Sequence, residues 1–169
     1  MALEVARLAP DLLSAIWLID SFPGLSARHG DAWKMIEWLQ KNEGPFTTRT
    51  EVLKKLKEAQ FPEAIAAWMA TNLEPEGKLL KWIFPVKGIA SLLDDYAKTD
   101  LTDTLLNPPC PIHVVKGTKS PLITDDLIQK IQHSKTRFPI SLHFVEAGHW
   151  VHSENPKELL RIMMSSFKG

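Results

Sequence analysis

The sequence holds one cysteine and one tyrosine among 169 residues, and it carries no net charge, with 20 Lys and Arg against 20 Asp and Glu. A lone cysteine excludes an intramolecular disulfide and points to a reducing compartment. Cys110 stands in Pro109-Cys110-Pro111, just ahead of an apolar run. With no helix N-terminus or basic neighbour to favour a thiolate, it reads as a small buried hydrophobe rather than a nucleophile. The charge balance argues against nucleic acid as a partner, since no stretch is basic enough to neutralise a row of phosphates. The densest basic run, Lys54-Lys55-Leu56-Lys57, is interrupted by acids and reads as the solvated face of a helix. No apolar run approaches the ~20 residues that cross a bilayer. Met1 to Pro10 contains Glu4 and Arg7 and lacks a signal-peptide pattern. The expectation is an intracellular protein with no membrane span. No group of His, Cys and carboxylates has ligand spacing, so no metal and no other cofactor is expected.

What is present is the composition of a folded domain, 44% hydrophobic and 24% charged, in a chain long enough to bury a core. Residues 1–9 are strong helix formers, apolar nearly all round, which predicts a helix buried on most faces. No capping residue precedes it, so the sequence reads as if it began inside a structure. Pro10-Asp11 breaks the helix, and the apolar run before Asp20 reads as a strand covered on both faces, the parallel-sheet pattern. From about residue 26 to residue 106 the pattern is helical. Asp31 to Lys41 forms one stripe; Thr48-x-x-Glu51 is a capping box; Pro62 opens a further helix through Met69; Val86 to Tyr96 is another, with an extended piece at Lys78 to Phe84. The sheet pattern then resumes. Pro111–Lys116 is a strand, Gly117–Ser120 a turn, and Ile123–His133 a helix capped by Thr124. Ile140–Val145 is a strand, and the last helix, Asn155 to Phe167, has Asn155 as its cap and Pro156 in its first turn. Strand, helix, strand, helix with short connections predicts an α/β layer architecture.

Three polar signals directly follow predicted strands: Asp20, the Gly117–Ser120 turn and His149. Carboxyl ends of strands are where ligands bind in open α/β sheets. Three segments carry a resemblance. They are Leu18-Ile19-Asp20-Ser21-Phe22-Pro23, then His113-Val-Val-Lys-Gly117-x-x-Ser120, then Ala147-Gly148-His149-Trp150-Val151-His152-x-Glu154-x-Pro156. Together they resemble the α/β-hydrolase fold, in the branch of esterase-like abhydrolase-domain hydrolases that cleave esters or thioesters. The resemblance implies a partial fold: a short parallel sheet of strands six to eight, flanking helices and an inserted helical cap. The implied division is residues 1–25 and 109–169 as hydrolase core and 26–108 as cap. It implies His149 as general base and Asp20 as the acid that orients it, because the turn after the next strand, Gly117-Thr-Lys-Ser120, holds no carboxylate. Trp150 and Ser120 are the candidates for contact with substrate. Taken without the resemblance, Asp20 is also an ordinary strand-end carboxylate, His149 a loop residue near the final helix, Trp150 a packing residue and Ser120 a turn residue.

The sequence departs from that family at one position that matters. The nucleophile there is the serine of a Gly-x-Ser-x-Gly elbow, and no such motif occurs in this sequence; Gly24-Leu-Ser26-Ala-Arg lacks the second glycine. The resemblance places the missing serine a few residues ahead of Met1. Losing a nucleophile costs on the order of a millionfold in rate, so the expectation is a chain inactive alone. It would be a truncated serine hydrolase, a silent module binding acyl ligands, or one half of a two-chain hydrolase whose partner is an N-terminal half chain. The substrate of the full-length parent would be a small ester or thioester. An unpaired outer edge on the first strand further predicts marginal stability.

Overall fold

The computed structural model describes residues 1–24 and 31–166; Ser26 and Phe167, both considered above, lie outside the described residues. In chain order the elements are α1 (Ala2–Leu8), β1 (Ile16–Ile19), α2 (Asp31–Lys41), α3 (Arg49–Glu58), α4 (Glu63–Thr71), β2 (Leu73–Glu76), β3 (Leu79–Trp82), α5 (Val86–Lys98), α6 (Thr102–Leu106), β4 (Ile112–Gly117), α7 (Asp125–His133), β5 (Ile140–Val145), α8 (Val151–Glu154) and α9 (Pro156–Ser166). They fall into two compact units, Met1–Leu25 with Thr99–Gly169, and Ser26–Lys98.

The first unit is built on a three-stranded sheet in the order β1-β4-β5. Both pairings are parallel, with Ile16 opposite Ile112, Ile19 opposite Val115, and Gly117 opposite Val145. Side chains alternate between faces along a strand, and this alternation divides the core. Ile16, Leu18, Ile112 and Val114 face α1, α6 and α7 through Leu3, Ala6, Leu105, Leu127 and Ile131. On the opposite face Val115 and Val145 pack with Val151, Leu159 and Ile162 of α8 and α9. The caps foreseen at the two later helices are present: Thr124 accepts from Leu127 N at 3.3 Å, and Asn155 Oδ1 accepts from Glu158 N at 3.3 Å.

Two burial expectations fail. Helix α1 buries only Leu3 and Ala6, while Val5 and Leu8 are exposed; a one-turn-repeat contact with the sheet needs one stripe, and only that stripe is used. Strand β1 is buried on one face and half-buried on the other. On that second face, Trp17 stacks on His113 with ring centres 4.2 Å apart and planes within 11°, and more distantly on His143 at 5.8 Å. His113 Nδ1 lies 3.2 Å from His143 Nε2, while the ring centres are 5.4 Å apart. The centre-to-centre distance exceeds the N···N distance by about two ring radii. The two nitrogens therefore point at one another along a single line, the geometry of an N–H···N hydrogen bond.

The described residues of the second unit, taken by itself, form four helices and a hairpin around an aromatic core. Thr48 caps α3 by accepting from Glu51 N at 3.1 Å. Glu51 answers one residue further out than a capping box does, accepting from Thr47 N and Oγ1 at 2.8 Å each. With Lys55 also beside it, these bonds hold the Glu51 carboxyl down at about 2. The extended piece foreseen at 78–84 is the second strand of an antiparallel hairpin, β2 with β3, in register Leu73 to Trp82 and Glu76 to Leu79. Gly77 turns it with φ +64°. Trp82 sits at the centre, edge-on to Trp38 and Phe46 and stacked on Phe84, its indole N–H donating to Asn42 O at 2.9 Å.

Two predictions follow from the sheet. Burial pushes the His113 imidazole below its ordinary value, reinforced by His143, and burial does the same to His143. The unfolded chain then binds these protons more tightly than the folded one, so stability is lost as pH falls below the ordinary histidine value of about 6.5. Thermal melts should show the midpoint falling between pH 7 and pH 5, and replacing both histidines by Gln should flatten that slope. The Glu51 contribution is lost only at lower pH. The second prediction concerns Gly117, where an added Cβ would lie 2.2 Å from Gly148 O and 2.8 Å from Ala147 O. Backbone cannot yield as a side-chain tip can, so Gly117→Ala should cost about 3 kcal/mol or more, read from the urea midpoint.

Candidate active site

Parallel strands put all three carboxyl ends on one edge of the sheet, and the site is assembled there. Strand β1 ends with Asp20 N donating to Val115 O at 2.7 Å. Asp20 itself then turns into the left-handed region, φ +44°, which an Asp tolerates better than most residues and which bulky residues avoid. That turn directs its side chain back along the sheet edge instead of out to water, and the residue is 0% exposed.

A buried carboxylate is costly unless its oxygens are satisfied, and those of Asp20 accept three hydrogen bonds. Gly117 N, at the end of β4, donates to Oδ1 at 3.0 Å. Ser120 Oγ donates to Oδ2 at 2.5 Å, in the range of a charge-assisted O–H···O bond. His149 Nδ1 lies 3.0 Å from the same Oδ2. Because a carboxylate can only accept, the proton in that contact sits on Nδ1, leaving Nε2 of the neutral ring as an acceptor. The sequence separation is 129 residues; the sheet register closes it.

The two loops that carry these donors are fastened to each other. Thr118 N donates to Val145 O at 2.9 Å and Lys119 N to Ala147 O at 3.0 Å, while Gly117 packs against the Ala147 and Gly148 carbonyls at a distance no side chain fits. Gly148 N donates to Glu154 Oε2 at 2.7 Å, so the carboxylate of α8 holds the residue before His149 in place. The His149 side chain remains 50% exposed. Trp150 lies beside it with ring centres 5.3 Å apart, itself 48% exposed. His152 meets the far side of Trp150 edge-on.

The structure thus brings Asp20, His149 and Ser120 into one hydrogen-bonded group, with Trp150 adjoining. Ser120, taken above as a substrate contact, is 4% exposed and its hydroxyl proton is committed to Asp20. Sequence reasoning missed that role, and it missed Gly117 N–H as a donor; the Gly-x-x-Ser spacing after a strand was the available signal. Cys110 is buried, and burial pushes its thiol up, away from thiolate. Among the described residues no group of three His, Cys or carboxylates could hold a metal ion. Nor is any described helix long and apolar enough to cross a membrane.

No protein-family model matches the chain. Two curated proteins resemble it along nearly its whole length. A sn-1-specific diacylglycerol lipase of Danio rerio is 22% identical over 95% of the chain and 51% of its own length. An esterase of Mycobacterium tuberculosis is 26% identical over 96% of the chain and 55% of its own length. The chain therefore spans about half the length of the curated relatives it matches. Among solved structures, a marine microorganism esterase superposes with a TM-score of 0.80 at 21% identity, covering 97% of this chain and 64% of that one. The E-2-(acetamidomethylene)succinate hydrolase superposes with 0.70 at 18% identity, covering 99% and 62%. A three-strand parallel sheet with flanking helices and a hairpin-bearing helical insertion, and its superposition on these structures, give the chain part of an α/β-hydrolase fold, similar in sequence to an esterase and a lipase.

Proposed function

We propose that this chain is the acid- and histidine-bearing part of a serine-type hydrolase that cleaves ester or thioester bonds. The observation that carries the reading is the 3.0 Å contact between Asp20 Oδ2 and His149 Nδ1. An acid so placed fixes the imidazole tautomer and stabilises the imidazolium that forms when Nε2 takes a proton from a serine hydroxyl. That imidazolium gives the proton to the leaving alcohol or thiol as the acyl group passes to the serine, and the neutral imidazole so restored later takes a proton from the water that releases the acyl group. His149 is half exposed, as a base that must meet an incoming hydroxyl requires. Asp20 is fully buried, as an orienting acid must be to keep its partner.

Under this reading Ser120 and Gly117 are positioning groups. Gly117 N–H holds Oδ1 while the Ser120 hydroxyl shares Oδ2 with His149, so both oxygens are tied and the carboxylate is kept from rotating away from the ring. Trp150, exposed beside the imidazole, would line the acyl or alcohol part of the substrate. An apolar acyl part fits the diacylglycerol lipase among the relatives. The nucleophile and the oxyanion donors would come from a Gly-x-Ser-x-Gly segment outside this sequence, either on the same polypeptide or on a separately encoded half.

The test is to supply that segment. Joined to, or mixed with, an N-terminal half bearing the elbow serine, the chain should hydrolyse p-nitrophenyl butyrate, while the 169-residue chain by itself should not. In the active assembly His149→Gln should lower kcat on the order of ten-thousandfold or more. Asp20→Asn should do so on the order of ten-thousandfold, by favouring the wrong tautomer. Ser120→Ala should cost about tenfold, the weight of one hydrogen bond. An active assembly whose rate is indifferent to His149→Gln would overturn the reading.

A further inference from the structure

Lys116 is the last residue before Gly117 on β4, and its side chain lies on the face that packs against α7. Its Nζ donates to Ser120 O at 2.9 Å and to Ile123 O at 2.8 Å. Both acceptors belong to the loop that follows the strand. Ile123 is buried in the sheet core and Ser120 is buried at its edge, so these carbonyls lie at the inner side of the loop, where an unpaired acceptor is costly. The ammonium is therefore not a solvated surface charge. It closes a ring from the strand through the loop and back.

The loop has two other internal ties, Ser120 N to Gly117 O at 3.0 Å and Leu122 N to Ser120 Oγ at 3.3 Å, and with them Ser120 delivers its hydroxyl to within 2.5 Å of Asp20. A serine hydroxyl rotates freely on its own, so the delivery depends on the loop backbone, including the Leu122 amide that donates to Ser120 Oγ. The placing is done by the backbone of residues 117–123, and Lys116 is the side chain that ties the middle of that backbone, at Ser120 O, to its end, at Ile123 O. We propose that Lys116 is a positioning residue for the Asp20–His149 pair, acting through Ser120: it holds the loop that holds the acid that orients the base. The inference rests on the reading of Asp20 and His149 as acid and base, but its geometry and its test do not require hydrolysis.

The readout is the tautomer of His149 in the 169-residue chain, from long-range 15N–1H correlation spectra of 15N-histidine-labelled protein at pH above 7.5, with His149→Gln to assign the signal. In the wild type the ring should be in the Nδ1–H form, as a proton held against Asp20 dictates. Lys116→Met keeps the apolar stem and removes both donors. It should lower the ratio of Nδ1–H to Nε2–H about tenfold, the equilibrium weight of one hydrogen bond, with the amide spectrum otherwise intact. Lys116→Arg, whose guanidinium still offers donors for two carbonyls, should restore the wild-type ratio. If the effect passes through Ser120, then adding Lys116→Met to a Ser120→Ala background should change the ratio far less than it does in the wild type. A merely structural staple would move the melting temperature and leave the tautomer alone. Should Lys116→Met not fold, Lys116→Gln, which keeps a donor for a single carbonyl, should give an intermediate ratio. A folded variant with the wild-type tautomer, or an effect undiminished by Ser120→Ala, overturns the proposal for Lys116. A wild-type ring found in the Nε2–H form instead overturns the acid–base reading itself, so the two failures are separable.

Discussion

A carboxylate with no exposure to water has to be surrounded by donors, and the carboxyl edge of this sheet is arranged around that requirement. Placing an ionised group in a protein interior costs several kcal/mol unless partners replace its hydration. Asp20 obtains its partners from three separate stretches: the end of β4, the loop after β4 and the loop after β5. None of these is near it in sequence, so only a fixed register of β1, β4 and β5 can deliver all three. The positive φ of Asp20 and the space that only a glycine leaves at position 117 are the local costs of that delivery. Each is a conformation or a contact that folding would otherwise avoid, and each is held in place by the sheet on one side and a fastened loop on the other.

Much of this frame was legible in the residues because its causes are local. Helix caps at Thr48, Thr124 and Asn155 follow from a side-chain oxygen reaching an amide three residues on, and all three are present. The parallel strands were legible as short apolar runs with helices between them. Asp20 and His149 stood out because each directly follows such a run. What could not be read was burial on the second face of the sheet. An apolar run predicts cover on both sides, yet Trp17 is only half-buried and shares its face with two histidines stacked beside it, and a histidine in a strand carries no mark of its partner. Strand β2 was also unreadable: Leu73-Glu-Pro-Glu76 has no alternation and contains a proline, which only a strand with a free edge accepts. It exists because β3 pairs with it, a tertiary cause.

The roles of Ser120 and Lys116 were hidden for a different reason. A serine three residues after a strand, and a lysine at the strand's end, have many uses, and composition cannot choose among them. Their functions depend on where a backbone loop curls, to within half an ångström. Such supporting residues are invisible to pattern and visible only in coordinates, whereas Asp20 and His149 announce themselves by type and place. Under the proposed reading this is the usual division between groups that perform chemistry and groups that hold them.

That division also explains why position 120 is a serine here and not a second acid. Strands β1 and β4 are neighbours, and either carboxyl end lies within reach of the loop after β5. The side chain at position 120 already lies 2.5 Å from Asp20 Oδ2, so a carboxylate there would stand against Asp20 itself. Two carboxylates so close cannot both ionise, and the proton they would share would remove the full negative charge that fixes the ring. Once the acid stands after β1, the loop after β4 must offer protons rather than compete for them. Gly117 offers one from its backbone and Ser120 one from its side chain, and Lys116 adds a positive charge behind that loop without touching the acid. The choice of strand for one carboxylate thus sets the chemical character of the next strand's loop, and the Gly-Thr-Lys-Ser turn is the physical consequence of an aspartate 97 residues earlier.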